Sequence, residues 1–138
     1  MSADLALQAA IRDRLTTSPG VTALVPAASI LDRHQRPAPS PSIILGETQE
    51  VDEGTSLQRQ HTRVFHTVHV WKKEPSTAGV KAIGAAIKAA VRAGRFDLGA
   101  GLHCADQRVS SARYVRDPDG ETSHGIVTIE ALIAETDA

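Results

Sequence analysis

Apolar positions recur along this chain at spacings that alternate between the period of a helix and that of a strand. From Ser2 to Leu15, the residues Leu7, Ile11 and Leu15 fall four apart, which places them on one helical face. Ser2 can cap that helix, and Thr16-Thr17-Ser18-Pro19-Gly20 ends it. Helical spacing returns at Val80, Ile83, Ile87 and Val91, with Gly94 placed to close the helix as its C′ residue. Just before it, Arg63 to Trp71 is β-branched, aromatic or His, the composition of a strand. Glu74-Pro75-Ser76 separates the two, because Pro75 has no N–H to give a ladder and Ser76 or Thr77 can cap the second helix. This strand and helix, Arg59 to Arg95, are the pair on which the rest of the chain is expected to build.

In the last third the period is two. Val127, Ile129, Ala131 and Ile133 share one face of a strand, and His124, Thr128 and Glu130 share the other. Asp117-Pro118-Asp119-Gly120 fits a type I turn with a positive φ at Gly120, and it joins arms of roughly His103–Arg116 and Thr122–Ile133. Phe96 to Gly101 is a Gly-rich connection. Upstream, Val21–Val25 reads as a short apolar turn and Ser29-Ile30-Leu31 as a short strand. HQRPAPSPS, with three prolines, reads as an extended surface connection. Ile43-Ile44-Leu45-Gly46-Glu47 is a strand whose apolar triplet suggests burial on both faces. Glu47, Glu50, Asp52 and Glu53 then form an acidic loop, Gly54-Thr55-Ser56 supplies the bend, and an antiparallel hairpin with the Arg59 strand results.

The expected fold is α+β: an antiparallel sheet built from two long hairpins, with two main helices packed on it, in one domain over residues 1–138. Length adds a further expectation. Extended, Gln58–Lys73 reaches on the order of 50 Å, against about 37 Å for the diameter of a domain this size. The first hairpin should therefore project as an arm that contacts another chain, or bend at a bulge.

Composition removes several functions. A net charge of −1 gives no electrostatic reason for tight nucleic-acid binding, and 3% aromatic residues leave little for base stacking. Cys104 is the only cysteine, so no internal disulfide is implied. The N-terminus has no basic segment leading into an apolar run, and no stretch approaches the ~20 apolar residues of a membrane span. The expectation is a soluble protein made in the cytoplasm, with no membrane partner.

Candidate chemistry is sparse. Of the only local His cluster, His66 and His69 face opposite ways on a strand, and His61 and His69 lie about 26 Å apart. His103 and Cys104 diverge as well, so neither a metal site nor any other cofactor is expected. The chain has no G-x-S-x-G, no Walker A loop and no H-E-x-x-H, and no basic helix start stands near Cys104 to activate it. Its paired carboxylates sit in turns. No catalytic residue is assigned, and the chain is read as a non-enzyme. Lys81, Lys88, Arg92 and Arg95 form one stripe of the central helix, with Ala82, Ala86, Ala89 and Ala93 on the opposite flank. The stripe is either a solvated face or a surface that meets an acidic neighbour, such as the 47–53 loop of another subunit. The candidate subunit-interface residues are accordingly Glu47, Glu50, Asp52, Glu53, Arg59, Lys81, Lys88 and Arg92.

The order of these pieces carries a resemblance over nearly the whole chain. An N-terminal helix leads to VTALVPAASILDR, a Pro-rich link and PSIILGETQEVDEG; HTVHVWKKE precedes the Ala-rich helix, and ARYVRDPDGETSHGIVTIEALI ends the pattern. This resembles the tail-terminator (tail-completion) family of long-tailed phages, including versions in gene transfer agents. The most specific pieces are HVW before the helix and ARYVRDPDG followed by T-x-H-G. The resemblance implies helices packed on an antiparallel sheet and a homo-oligomer, a six-copy ring on the end of the tail tube. The implied partners are the tail tube protein, the head connector or stopper, and DNA in transit through the channel. It carries over no catalytic residues, and it implies synthesis in the bacterial cytoplasm and a place at the head–tail junction of a particle. The alternatives are a head-completion or stopper protein of the same junction, and a small enzyme or ligand-binding domain, which one pocket of convergent polar groups would favour.

Overall fold

The computed structural model describes residues 2–32, 39–54 and 59–136. Most of the Pro-rich connection and the Thr55-Ser56 part of the expected bend lie outside these residues. The elements are α1 (Ala3–Thr17), α2 (Pro19–Thr22), a 3₁₀ turn (Ala27–Ser29), β1 (Ile30–Asp32), β2 (Ser42–Asp52), β3 (His61–Lys72), α3 (Ala78–Arg92), β4 (Leu102–Arg116) and β5 (Ser123–Glu135).

The strands make one five-stranded sheet in the order β1-β2-β3-β5-β4. β2–β3, β3–β5 and β5–β4 are antiparallel, but β1 runs parallel to β2 through Ile30↔Ile43, Leu31↔Ile44 and Asp32↔Leu45. The sheet is therefore mixed, which corrects the expectation of a purely antiparallel one; the two main helices are α1 and α3, and the four-residue α2 is added to them. A parallel neighbour needs a connection that carries the chain back along the sheet. No pattern in the sequence between the two strands reveals that direction.

Every other residue of the strands points to the side that holds the helices. Val64, Val68 and Val70 of β3, with Val127, Ile129, Ala131 and Ile133 of β5, are buried there against Leu7, Ile11 and Leu15 of α1 and Val80, Ile83, Ile87 and Val91 of α3. The expected helical and alternating faces are thus the core faces. Each of these Val, Leu and Ile side chains contributes roughly 1.5–3 kcal/mol by leaving water. α3 seats closely on β4 because Gly84 has no Cβ. One built there would lie within 3 Å of the ring and hydroxyl of Tyr114. Gln107 pins the far end of α3 by donating from Nε2 to the carbonyls of Val91 and Gly94, both at 2.7 Å. The side-chain oxygen of Ser76 accepts from the Ala78 N–H at 3.1 Å, while Thr77, the N-cap residue, makes no side-chain cap bond.

Two expectations about the first hairpin change. The acidic stretch is not a loop, because β2 continues through it to Asp52, in register with β3 from Thr48↔His66 to Asp52↔Thr62. Leu45 pairs with Val68 and Thr48 with His66, so one extra residue is accommodated near Gly46 and Glu47, a bulge that resets the register. Nor is the hairpin a free arm, since β5 accompanies β3 along its whole length, from His61↔Ala134 to Lys72↔Ser123. The core is not round. A sheet is longer along its strands than across its layers, so a 12-residue strand fits inside it. Among the described residues, no strand pairs with the outer edge of β2 beyond Leu45 or with the outer edge of β4.

Candidate interaction surface

The sheet sorts the candidate interface residues by face. Glu50 of β2 stands opposite Val64, a core residue, so Glu50 lies on the helix-bearing side and Asp52, two residues on, does too. Glu47 reaches the other way: His69 Nε2 lies 3.2 Å from its Oε1, on the helix-free face. Glu53 is committed within the chain. Arg63 donates to it from Nε at 2.9 Å and Nη2 at 3.0 Å, a bidentate pair, and donates from Nη1 to Glu130 at 2.6 Å. Its hydrogen bonds to Arg63 hold the Glu53 carboxyl below the usual range. Asp52 lies 3.4 Å from Arg59, itself at φ 55, in an exposed pair.

Glu50 differs from these. No cation lies within ion-pair distance of it among the described residues. Partial burial and the nearby Asp4 carboxylate at the start of α1 push its carboxyl up, and Glu135 adds to the effect. Asp4 itself is held low, first by the hydrogen bond from the Ser2 hydroxyl at 2.7 Å.

The basic residues occupy the opposite margin. Lys81, Lys88 and Arg92 are exposed on α3, and none of them makes an ion pair among the described residues. Lys81 and Lys88 border a cleft of about 370 Å³ between α3 and β4, with Ser110 and Tyr114 opposite. Arg92 and Arg95 border a second, of about 380 Å³, with Ala105, Asp106 and Gln107 opposite. Strand order thus separates the acidic stretch of β2 from this basic margin by the full width of β3 and β5. The chain's near-zero net charge conceals two sides of opposite sign.

A cluster that residue spacing did not predict spans β2, β3 and β5 on the helix-free face. His69 Nδ1 and His124 Nε2 are 2.8 Å apart, and the His124 ring stacks on Trp71 with centroids 3.7 Å apart. Burial, then the neighbouring His69, lowers His124 to about 4. Strand parity placed His69 and His124 on the faces they occupy, but Trp71↔His124 and His69↔Ile126 become neighbours only through the β3–β5 register. Among the described residues, no three His, Cys, Asp or Glu side chains gather as a metal site would require. Cys104 is buried in β4, and that burial raises its thiol. No helix is long and apolar enough to cross a membrane among the described residues. The arrangement offers charged surfaces and open clefts for association.

Three comparisons bear on this arrangement. Residues 9–134 match the family model described as tail completion protein gp17. No curated protein matches the chain. Among solved structures, a chain in the virion of a native gene transfer agent (GTA) particle superimposes with a TM-score of 0.75 at 19% identity, over 97% of this chain and 99% of that one.

Proposed function

The chain belongs to the tail completion protein gp17 family, structural proteins of phage-like tails, and from that premise we propose that it forms the ring that caps the tail tube and joins it to the head connector. One observation carries this reading. The two lateral margins of the sheet have opposite charge, acidic on β2 and basic on α3 and β4. A surface that complements a different surface of its own copy gives head-to-tail association, which closes into a ring when the rotation per copy permits. Six copies per ring is the number that the family resemblance implies. The fold shared with a chain of a gene transfer agent virion supports a place in that kind of particle, at the head–tail junction. A net charge of −1 suits a channel through which DNA slides without being gripped.

The subunit contacts in this reading come from Glu50 and Asp52 on one side and Lys81, Lys88 and Arg92 on the other. Glu47 and Glu53 add charge to the acidic margin while bonded within their own chain. The test is to polymerise tail tube protein without heads, in the presence and absence of this protein, and to image the tubes. Rings on one end of each tube, with growth stopped there, are expected. A protein that ignores tube ends and binds only the isolated head connector is a stopper instead, and the capping role falls.

A further inference from the structure

We propose that successive copies join side by side, the Glu50 carboxylate of one copy seated in the cleft that Arg92 and Arg95 border, between α3 and β4 of the next. This rests on the ring reading above and assigns the contact within it.

Three observations converge on that pairing. Glu50 and α3 both lie on the helix-bearing side of the sheet, so a lateral shift brings them together without turning a copy over. They also stand at one height. Across the sheet the register runs Glu50↔Val64, Val64↔Ala131 and Gln107↔Ala131. Gln107 is the residue whose side chain holds the carbonyls of Val91 and Gly94, the end of α3 from which Arg92 and Arg95 reach into the cleft. In a ring whose axis follows the strands, copies succeed one another with no axial rise. One row of a copy then meets the same row of its neighbour, here Glu50 against the end of α3.

The third observation is charge. Glu50 is the acidic residue of the β2 margin left without a cation among the described residues, and Asp4 and Glu135 beside it increase the negative potential there. Among the described residues neither Arg92 nor Arg95 has a carboxylate partner, and the Arg95 side chain lies 3.2 Å from the His103 ring nitrogen. Asp106 is the one carboxylate lining the cleft, and the two arginines there outnumber it, so the cleft carries the charge that Glu50 lacks as a partner. The antiparallel order also leaves β2 of the incoming copy antiparallel to β4. Two bulges in β4, between Cys104 and Asp106 and between Val109 and Ser111, interrupt a continuous ladder along that edge. Side-chain charge therefore sets the register of the contact.

The test uses charge exchange and cross-linking on the full chain. Glu50→Arg and Arg92→Glu, each alone, should weaken self-association about tenfold or more while the melting temperature stays at the wild-type value. Mixing the two variants should restore rings, because each supplies the margin that the other has reversed. The chain carrying both exchanges should also assemble. In a Cys104→Ser background, Glu50→Cys combined with Arg92→Cys should give, on mild oxidation, a covalent ladder that continues past the dimer. Rings that form normally from either single variant overturn the pairing and leave the ring reading intact, as does a ladder that stops at two copies. A wild-type protein that neither self-associates nor caps tubes removes the ring reading, and this contact with it. Assembly that appears only with a foreign acidic protein in the cleft also overturns it.

Discussion

His66 shows how one residue's environment becomes a property of the whole protein. It is fully buried on β3, and neither ring nitrogen has a hydrogen-bond partner among the described residues. Burial opposes its charged form and lowers it from 6.5 to about 4. Between these values the unfolded chain binds a proton at this residue and the folded chain does not, so stability rises with pH through the window and is lost as pH falls through it. The difference amounts to about 3 kcal/mol across the window. His124 shifts in the same direction, but it is only half-buried and contributes less. Chemical denaturation at pH 7 and pH 4.5 should therefore show a clear acid loss in the wild type and a distinctly smaller one in His66→Leu. Equal slopes in the two proteins would mean that His66 is charged, or exposed, in the fold.

At the scale of elements, the two hairpins differ in what holds their ends. The β4–β5 turn is local: the Gly120 N–H donates to the Asp117 carbonyl at 3.1 Å, and Gly120 sits at φ 75. The Asp119 carboxylate accepts from the Glu121 and Thr122 N–H groups, both at 2.8 Å, and from the Thr122 hydroxyl at 2.7 Å. Gly120→Val should cost about 1–3 kcal/mol, because a β-branched residue is strained at positive φ. Glu121→Ala should stay within about 0.5 kcal/mol; similar melting temperatures for the two would contradict the turn. The β2–β3 hairpin is held by Arg63, which ties Glu53 to Glu130 across strands. Glu53→Lys should lower the melting temperature, since it puts a like charge beside Arg63 in place of its bidentate partner. Glu50→Lys should leave the subunit as stable as the wild type, because it also removes the repulsion with Asp4. Thermal unfolding of the two variants separates the residue that serves the fold from the one assigned to assembly.

On the scale of the whole molecule, the opposed margins predict how assembly responds to salt. Charges at an exposed interface are screened beyond about 8 Å at physiological ionic strength and about 3 Å at 1 M. Ring formation, measured by sedimentation, should weaken as sodium chloride rises from 50 mM to 500 mM. Subunit melting should change little over the same range, because the core of α1, α3 and the sheet is apolar. Association that strengthens with salt would indicate an apolar contact, with the helix-free face around Phe65 and Ile126 as the place to look.

Much of the architecture is written locally in the chain. The faces of α1 and α3 follow from spacings of three and four, the buried face of β5 from a period of two, and the 117–120 turn from Asp, Pro and Gly in the order that the turn demands. Such patterns record only which side of an element meets the core, and one element's own residues suffice to show it. Parity also separated His66 from His69 correctly. The sequence could not reveal the parallel placement of β1, the bulge that lets β2 run on through its acidic stretch, or the strand order. Those depend on which strands bury their faces together, a property of the assembled sheet. The candidate charges were legible as residues, whereas their division was not. Glu53 found Arg63, Glu47 found His69, and Glu50 was left opposite Val64 at the margin, because cross-strand register chose their partners. A stripe of lysine and arginine on one helix and a run of acids on one strand are compositional facts. Only the tertiary structure put them on opposite sides of the same sheet, where they can serve two neighbours at once.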